Sequence, residues 1–288
     1  MPPGSGDHAG WVASHRPREV DAAFGRGLAR AFAGAVIFAL PLLMTMEMWW
    51  LAFSIPPWRM ALLLLLFFPF LVALSWHAGF EPTFSWKDDV LDALVAYAVA
   101  FVASALVLAL LGQLTPDMGL REGVGKVALQ AVPASIGALL SQSQLGEEHA
   151  GGQARGGQGG YFSELFIMAV GALFLAFNVA PTEEMLLIAL ELEPGRGALL
   201  ALATLVVMHA FVYGAAFRGR PREAAQAPWW SLLARFTVVG YAIALLLSAY
   251  LLWTFGRLDG VSLPAAMSQV VVLGFPAALG AAAARLIL

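Results

Sequence analysis

The sequence predicts an all-α membrane protein of eight transmembrane helices, arranged as two tandem, parallel-oriented four-helix repeats. Three observations carry this prediction. Hydrophobic residues make up 60% of the 288 and charged residues only 12%, with a mean hydropathy of +0.78. A soluble domain is roughly half apolar and a quarter charged. Several apolar runs reach the roughly 18–20 residues that a helix needs to cross hydrocarbon. The second half of the chain also repeats the first. A membrane β-barrel would show short alternating segments instead, and the sequence has none.

In chain order, residues 1–30 are polar, carry Arg16, Arg18, Arg26 and Arg30, and read as a cytoplasmic segment. The apolar run that follows is too long for a signal-peptide core and reads as a retained first helix, 31–54. Spans at 59–80, 90–112 and 122–143 complete the first repeat, 31–143. The stretch QLGEEHAGGQARGGQGG, 144–160, is a Gly-rich polar linker of the flexible kind. Spans at 162–190, 197–217, 230–255 and 264–286 make up the second repeat, 161–288. An eight-span layout puts eleven of the 16 Lys and Arg on the side of the termini and five on the other. The positive-inside rule then places both termini in the cytoplasm.

The repeat rests on a gapless alignment of 34–67 over 171–204, with 13 of 34 positions identical. Apolar composition alone would give roughly four, so duplication is the better explanation. The matches include Thr45 with Thr182, Glu47 with Glu184, Pro57 with Pro194 and Arg59 with Arg196. Tyr97, Ser104 and Gly112 match Tyr241, Ser248 and Gly256, and VPASIGA (132–138) matches FPAALGA (275–281). Units of four spans share one orientation, so a pseudo-two-fold axis along the membrane normal is expected.

The carboxylates point to function. Glu47 and Glu184 occupy equivalent sites, in the outer third of a hydrocarbon layer ~30 Å thick. Glu183 adds an acid where the first half has Met46. A charge at such depth costs at least ~2.5 kcal/mol, and such residues usually face a bundle interior or a wet cavity. Pro181, and Pro41 in the first half, should break their helices and free carbonyls. Broken helices of this kind hold cations in transporters. Asn178, Thr45 and Thr182 would add neutral oxygens, and hard cations take several oxygen ligands. The competing reading is structural, with Glu47 paired to Arg59 and Glu184 to Arg196 at the same 12-residue separation. In the ion-site reading those arginines act as gates. His209 is as much a packed neutral histidine as a proton relay. Without cysteine, disulfides, thiolate catalysis and Cys-ligated metal are excluded.

The stretch NVAPTEEM (178–185), with eight spans in two sets of four, resembles an uncharacterised family of bacterial integral membrane proteins, a domain of unknown function. That resemblance implies a fold and a bacterial membrane, and no activity. NVAPTEE is also locally similar to the Asn/Gly–Pro–Glu motifs of cation/calcium exchangers. Glu183 and Glu184 with a later His209 resemble CPBP-type intramembrane glutamate proteases. Ile188 and Leu205, however, stand where that motif has Arg and Phe.

The expected function is therefore cation transport, with a channel slightly preferred to a carrier. Glu47, Glu184, Glu183, Asn178, Thr45 and Thr182 would hold the ion, and no resident cofactor is expected; the alternatives are a CPBP-like intramembrane glutamate protease, which leaves enzymatic activity the less favoured reading, and a structural membrane protein with Glu–Arg packing pairs. Ca²⁺ is the preferred ion, with Na⁺ and H⁺ as alternatives. The expected partners are the lipid bilayer, an inorganic cation and a second copy of the chain, with no nucleic acid.

Overall fold

The computed structural model describes residues 16–78, 86–145, 160–217 and 229–287. Residues 1–15 and most of the expected linker, 146–159, lie outside these. Among the described residues every regular element is helical: α1 (Arg16–Leu43), α2 (Met46–Ser54), α3 (Pro57–Ala78), α4 (Trp86–Leu110), α5 (Leu120–Leu145), α6 (Tyr161–Val179), α7 (Glu183–Glu191), α8 (Pro194–Phe217), α9 (Trp229–Leu232), α10 (Val239–Thr254) and α11 (Leu263–Ile287). A six-residue π-helical segment, Leu233–Val238, joins α9 to α10.

Eight of these helical stretches are long and apolar enough to cross a membrane. They fall on the eight expected spans, with two corrections. The first span ends at Leu43, and Glu47 lies beyond it in α2; the fifth ends at Val179, and Glu183 and Glu184 lie beyond it in α7. Each expected long helix is thus a spanning helix, a break and a nine-residue helix. The breaks place the acids in the short helices α2 and α7 rather than in the spanning helices. Helix α1 also starts earlier than expected, at Arg16.

Close backbone approach builds each half. Gly34 on α1 faces Gly137 on α5, and a Cβ on either would collide with the other's carbonyl oxygen. Ser141 Oγ donates to Arg30 O and Gln130 Nε2 to Leu42 O, each at 2.9 Å. These contacts set α1 antiparallel to α5, with Ala31, Ala35 and Ala39 lining the same seam. Gly171 on α6 faces Gly280 on α11 in the same way. Arg285 bonds Glu164 one stage further along. Lipid tails are as apolar as leucine, so small residues that let helices touch provide the dispersion contacts that hold such pairs. Helix α5 packs against α1, α2, α3 and α4, and α11 against α6, α7, α8 and α10.

Aromatic rings join the first group to the second: Phe38 to Phe174 at 5.0 Å, Phe70 to Phe166 at 5.1 Å and Trp58 to Trp253 at 5.3 Å. Arg59 anchors the far end, opposite the termini. Its Nη1 and Nη2 donate to the Asp259 carboxylate at 2.8 and 2.9 Å, and Nη1 also donates to Trp253 O at 2.8 Å. The guanidinium lies over the rings of Trp58 and Trp253. A forked, charge-assisted contact of this kind is among the stronger hydrogen bonds. Arg59→Gln should therefore lower stability by about 1–3 kcal/mol, read as a lower melting temperature of the detergent-solubilised protein. Arg196→Gln should leave the melting temperature of the monomer unchanged.

Candidate functional site

At the far end a second arginine, Arg257, lies against the break between α6 and α7. Its position is set by the end of α10. Gly256, at φ +73°, closes the helix; Gly256 N bonds Trp253 O at 3.1 Å and Arg257 N bonds Leu252 O at 2.8 Å. This is the Schellman arrangement, and it needs a residue tolerant of positive φ. Gly112, at φ +71°, closes α4 with the same pair of bonds and leaves Gln113 at the matching place.

From there Arg257 reaches the break between α6 and α7, and its Nη2 donates to the carbonyl of Pro181. Pro181 interrupts the helix because it has no N–H to give. Half-burial pulls the Arg257 guanidinium below its ordinary pKa. Glu183 first, and Glu47 second, counter that shift by favouring the charged form. The two carboxylates come from the two groups of helices, α2 and α7, and act on one cation. Arg257 Nε is buried without a hydrogen-bond partner among the described residues.

Each acid also sits in the first turn of a short helix, with Thr45 and Thr182 as the N-cap residues. The partial positive charge of a helix N-terminus favours acids there. This local reason accounts for acids in the first turn but not for an arginine brought to them from 74 residues away, the separation of Glu183 and Arg257.

The other expected site residues are placed as follows. Glu183 and Glu184 are both exposed and Glu47 is partly buried; of the adjacent acids it is Glu183 that, with Glu47, favours the charged form of Arg257. Thr45 Oγ1 donates to Pro41 O and Thr182 Oγ1 to Val179 O at 2.9 Å. Asn178 Nδ2 donates to Phe174 O at 2.8 Å. Gln130 and the Trp49 indole take the carbonyls of Leu42 and Leu43, each at 2.9 Å. Carbonyls around the breaks are thus largely satisfied by the protein's own donors. Pro41 lies within α1, and the first break comes after it, at Met44–Thr45. The expected Glu47–Arg59 and Glu184–Arg196 pairs are not the ones formed. Arg59 binds Asp259, and Arg196 approaches Glu193 at 3.8 Å. Sequence reading paired each arginine with a nearby acid in its own hairpin, whereas Arg59 reaches across 200 residues. No group of three His, Asp or Glu placed to hold a metal ion occurs among the described residues.

His209 lies elsewhere. Its Nδ1 is 2.9 Å from Thr237 Oγ1 of the π-helical segment. From Thr237 to Thr254 the helix rises roughly 25 Å, so His209 and Glu183 lie toward opposite ends of the bundle. A water shared by this His and this Glu, as the protease resemblance requires, has no place here. A second polar group, Glu164 with Arg285, sits at the end of the bundle near the termini, where Arg285 also lies over Phe236. Sequence reading missed it. Its only signal was an acid near the start of one span and a base near the end of another.

Fold and composition define a polytopic α-helical integral membrane protein with eight candidate spans. A family model described as "Putative integral membrane protein (DUF2391)" matches residues 27–288, and the chain belongs to that family. No curated protein and no solved structure matches it.

Proposed function

We propose that this protein transports a cation across the membrane through the centre made by Glu47, Glu183 and Arg257. In this reading Arg257 is the resident cation. It neutralises one of two carboxylates, and an incoming ion or proton competes with it for the pair. The observation that carries the reading is the convergence on Arg257 of one acid from each group of helices, at a broken helix. Ionisable residues that face a bundle interior or a water-filled cavity mark substrate and ion pathways. Glu184, Asn178, Thr45 and Thr182 are a rim that an ion would pass, not the innermost ligands.

Two carboxylates with few free carbonyls suit H⁺ or a monovalent cation better than Ca²⁺, which takes about six to eight oxygens. The Phe38–Phe174 contact lies roughly two turns below the breaks and closes the seam between the groups, which favours a carrier over an open channel.

The same reading includes the tandem repeat. The α1–α5 and α6–α11 crossings both use glycines that the sequence alignment pairs, Gly34 with Gly171 and Gly137 with Gly280. Gly112 and Gly256 end α4 and α10 with matching turns. These correspondences support two units of common origin and orientation. The test is uptake by vesicles reconstituted with the pure protein, followed for Na⁺, K⁺, Ca²⁺ and, with a pH dye, H⁺. Uptake of H⁺ or a monovalent ion is expected. Selective Ca²⁺ uptake would restore the divalent reading, and no uptake of any ion would remove transport.

A further inference from the structure

The contact between the two groups of helices uses one face of each and leaves the matching faces bare. Residues that the repeat alignment makes equivalent differ sharply in burial. The Arg59 side chain is 11% exposed and that of Arg196 73%. Thr254 is 0% exposed, and its counterpart Leu110 is 86%. Phe177 is 0% exposed and Leu40 is 44%. Pro181 is buried where Met44 is exposed, and Phe255 is buried where Leu111 is exposed. Arg59 lies at the junction where α3 of the first group meets the far end of α10, and Phe177 and Pro181 contact that end of α10 through Phe255 and Arg257.

A closed two-fold arrangement would form this junction twice, with α8 against the far end of α4. It is formed once. An interface between unlike faces of like units can propagate until a ring closes. The unmatched faces are also complementary in charge. Among the described residues, Arg196 on α8 has only the distant contact to exposed Glu193. Asp117 is exposed in the turn after α4, which corresponds to the turn that holds Asp259 after α10.

We propose that a second copy of this chain covers the bare face. Helix α8 of the partner packs on the patch of Leu40, Met44, Leu110 and Leu111, and Arg196 binds Asp117 as Arg59 binds Asp259. Copies in one membrane share an orientation, so the contact needs only rotation about the membrane normal. The inference rests on the repeat reading and is independent of transport.

The chain has no cysteine, so single introduced thiols report the contact cleanly. Arg196→Cys and Asp117→Cys are placed in two differently tagged copies and co-expressed, and membranes are treated with a short bis-maleimide. A disulfide is too short, because it needs Cα atoms within about 7 Å. Both positions are exposed, so both variants should fold. The expected result is a covalent product of twice the chain mass carrying both tags. A control pair, Leu246→Cys on an exposed face of α10 with Asp117→Cys, should give none. Arg59→Cys with Asp259→Cys in one chain should link within the chain. If that internal link forms while the two-copy product does not, the patch faces lipid and the proposal is overturned. It is equally overturned if Arg196→Cys and Asp117→Cys in one chain link internally, since the units then close on themselves.

Discussion

Gly280→Val should prevent the second group of helices from packing, and Gly137→Val should do the same in the first. At each crossing the facing backbone carbonyl occupies the space that a Cβ would need. A backbone cannot swing aside as a flexible side chain can, so the helices must separate along the seam. Overpacking a tight core costs about 1–3 kcal/mol and sometimes more. Here the loss extends to the neighbouring contacts, including Ser141 to Arg30 and Arg285 to Glu164. The expected result is loss of the monodisperse peak in size-exclusion chromatography of the solubilised protein. Gly25→Val, where nothing lies within 4 Å, should behave as wild type. Normal elution of both Gly137→Val and Gly280→Val would mean that the crossings are looser than described.

Arg257→Gln should have the second large effect. Without the guanidinium the Pro181 carbonyl loses its donor, and Glu183 and Glu47 lose the cation whose charge they favour. Losing a hydrogen bond from a charged group costs about 1–3 kcal/mol, and solvent screening at this half-exposed site keeps the loss toward the lower end. Adding Glu183→Gln to Arg257→Gln should recover part of the loss. Melting temperatures of the three proteins check this. A loss that Glu183→Gln does not recover would assign Arg257 a packing role only.

The parts of this protein legible in the sequence are those that a bilayer enforces. A spanning helix must satisfy its own backbone and be apolar for its whole length, so eight runs could be placed within a few residues. The aligned Gly112 and Gly256 likewise mark positions that only glycine fills easily. The breaks were less legible, because α2 and α7 are apolar enough to be read as continuations of α1 and α6. Pro41 looked like a breaker and is accommodated inside α1, whereas the first break follows at Thr45.

The centre itself was half visible. Glu47 and Glu183 stood out as acids among apolar residues. Arg257 did not, because an arginine in a short connection is common, and the acids that favour its charge come from α2 and α7, far away in the chain. Asp259 escaped notice for the same reason, and Arg59 was matched with the nearest acid instead. Contacts between distant segments leave no periodic signal in a single sequence.

The central claim is that Glu47 and Glu183 together receive the transported cation. Initial uptake rates in vesicles holding equal amounts of wild type, Glu47→Gln and Glu183→Gln test it most directly. The account predicts uptake of H⁺ or a monovalent cation by wild type and a loss of about ten-fold or more in each variant, roughly 1.4 kcal/mol of binding or barrier. Equal uptake by all three proteins would contradict it.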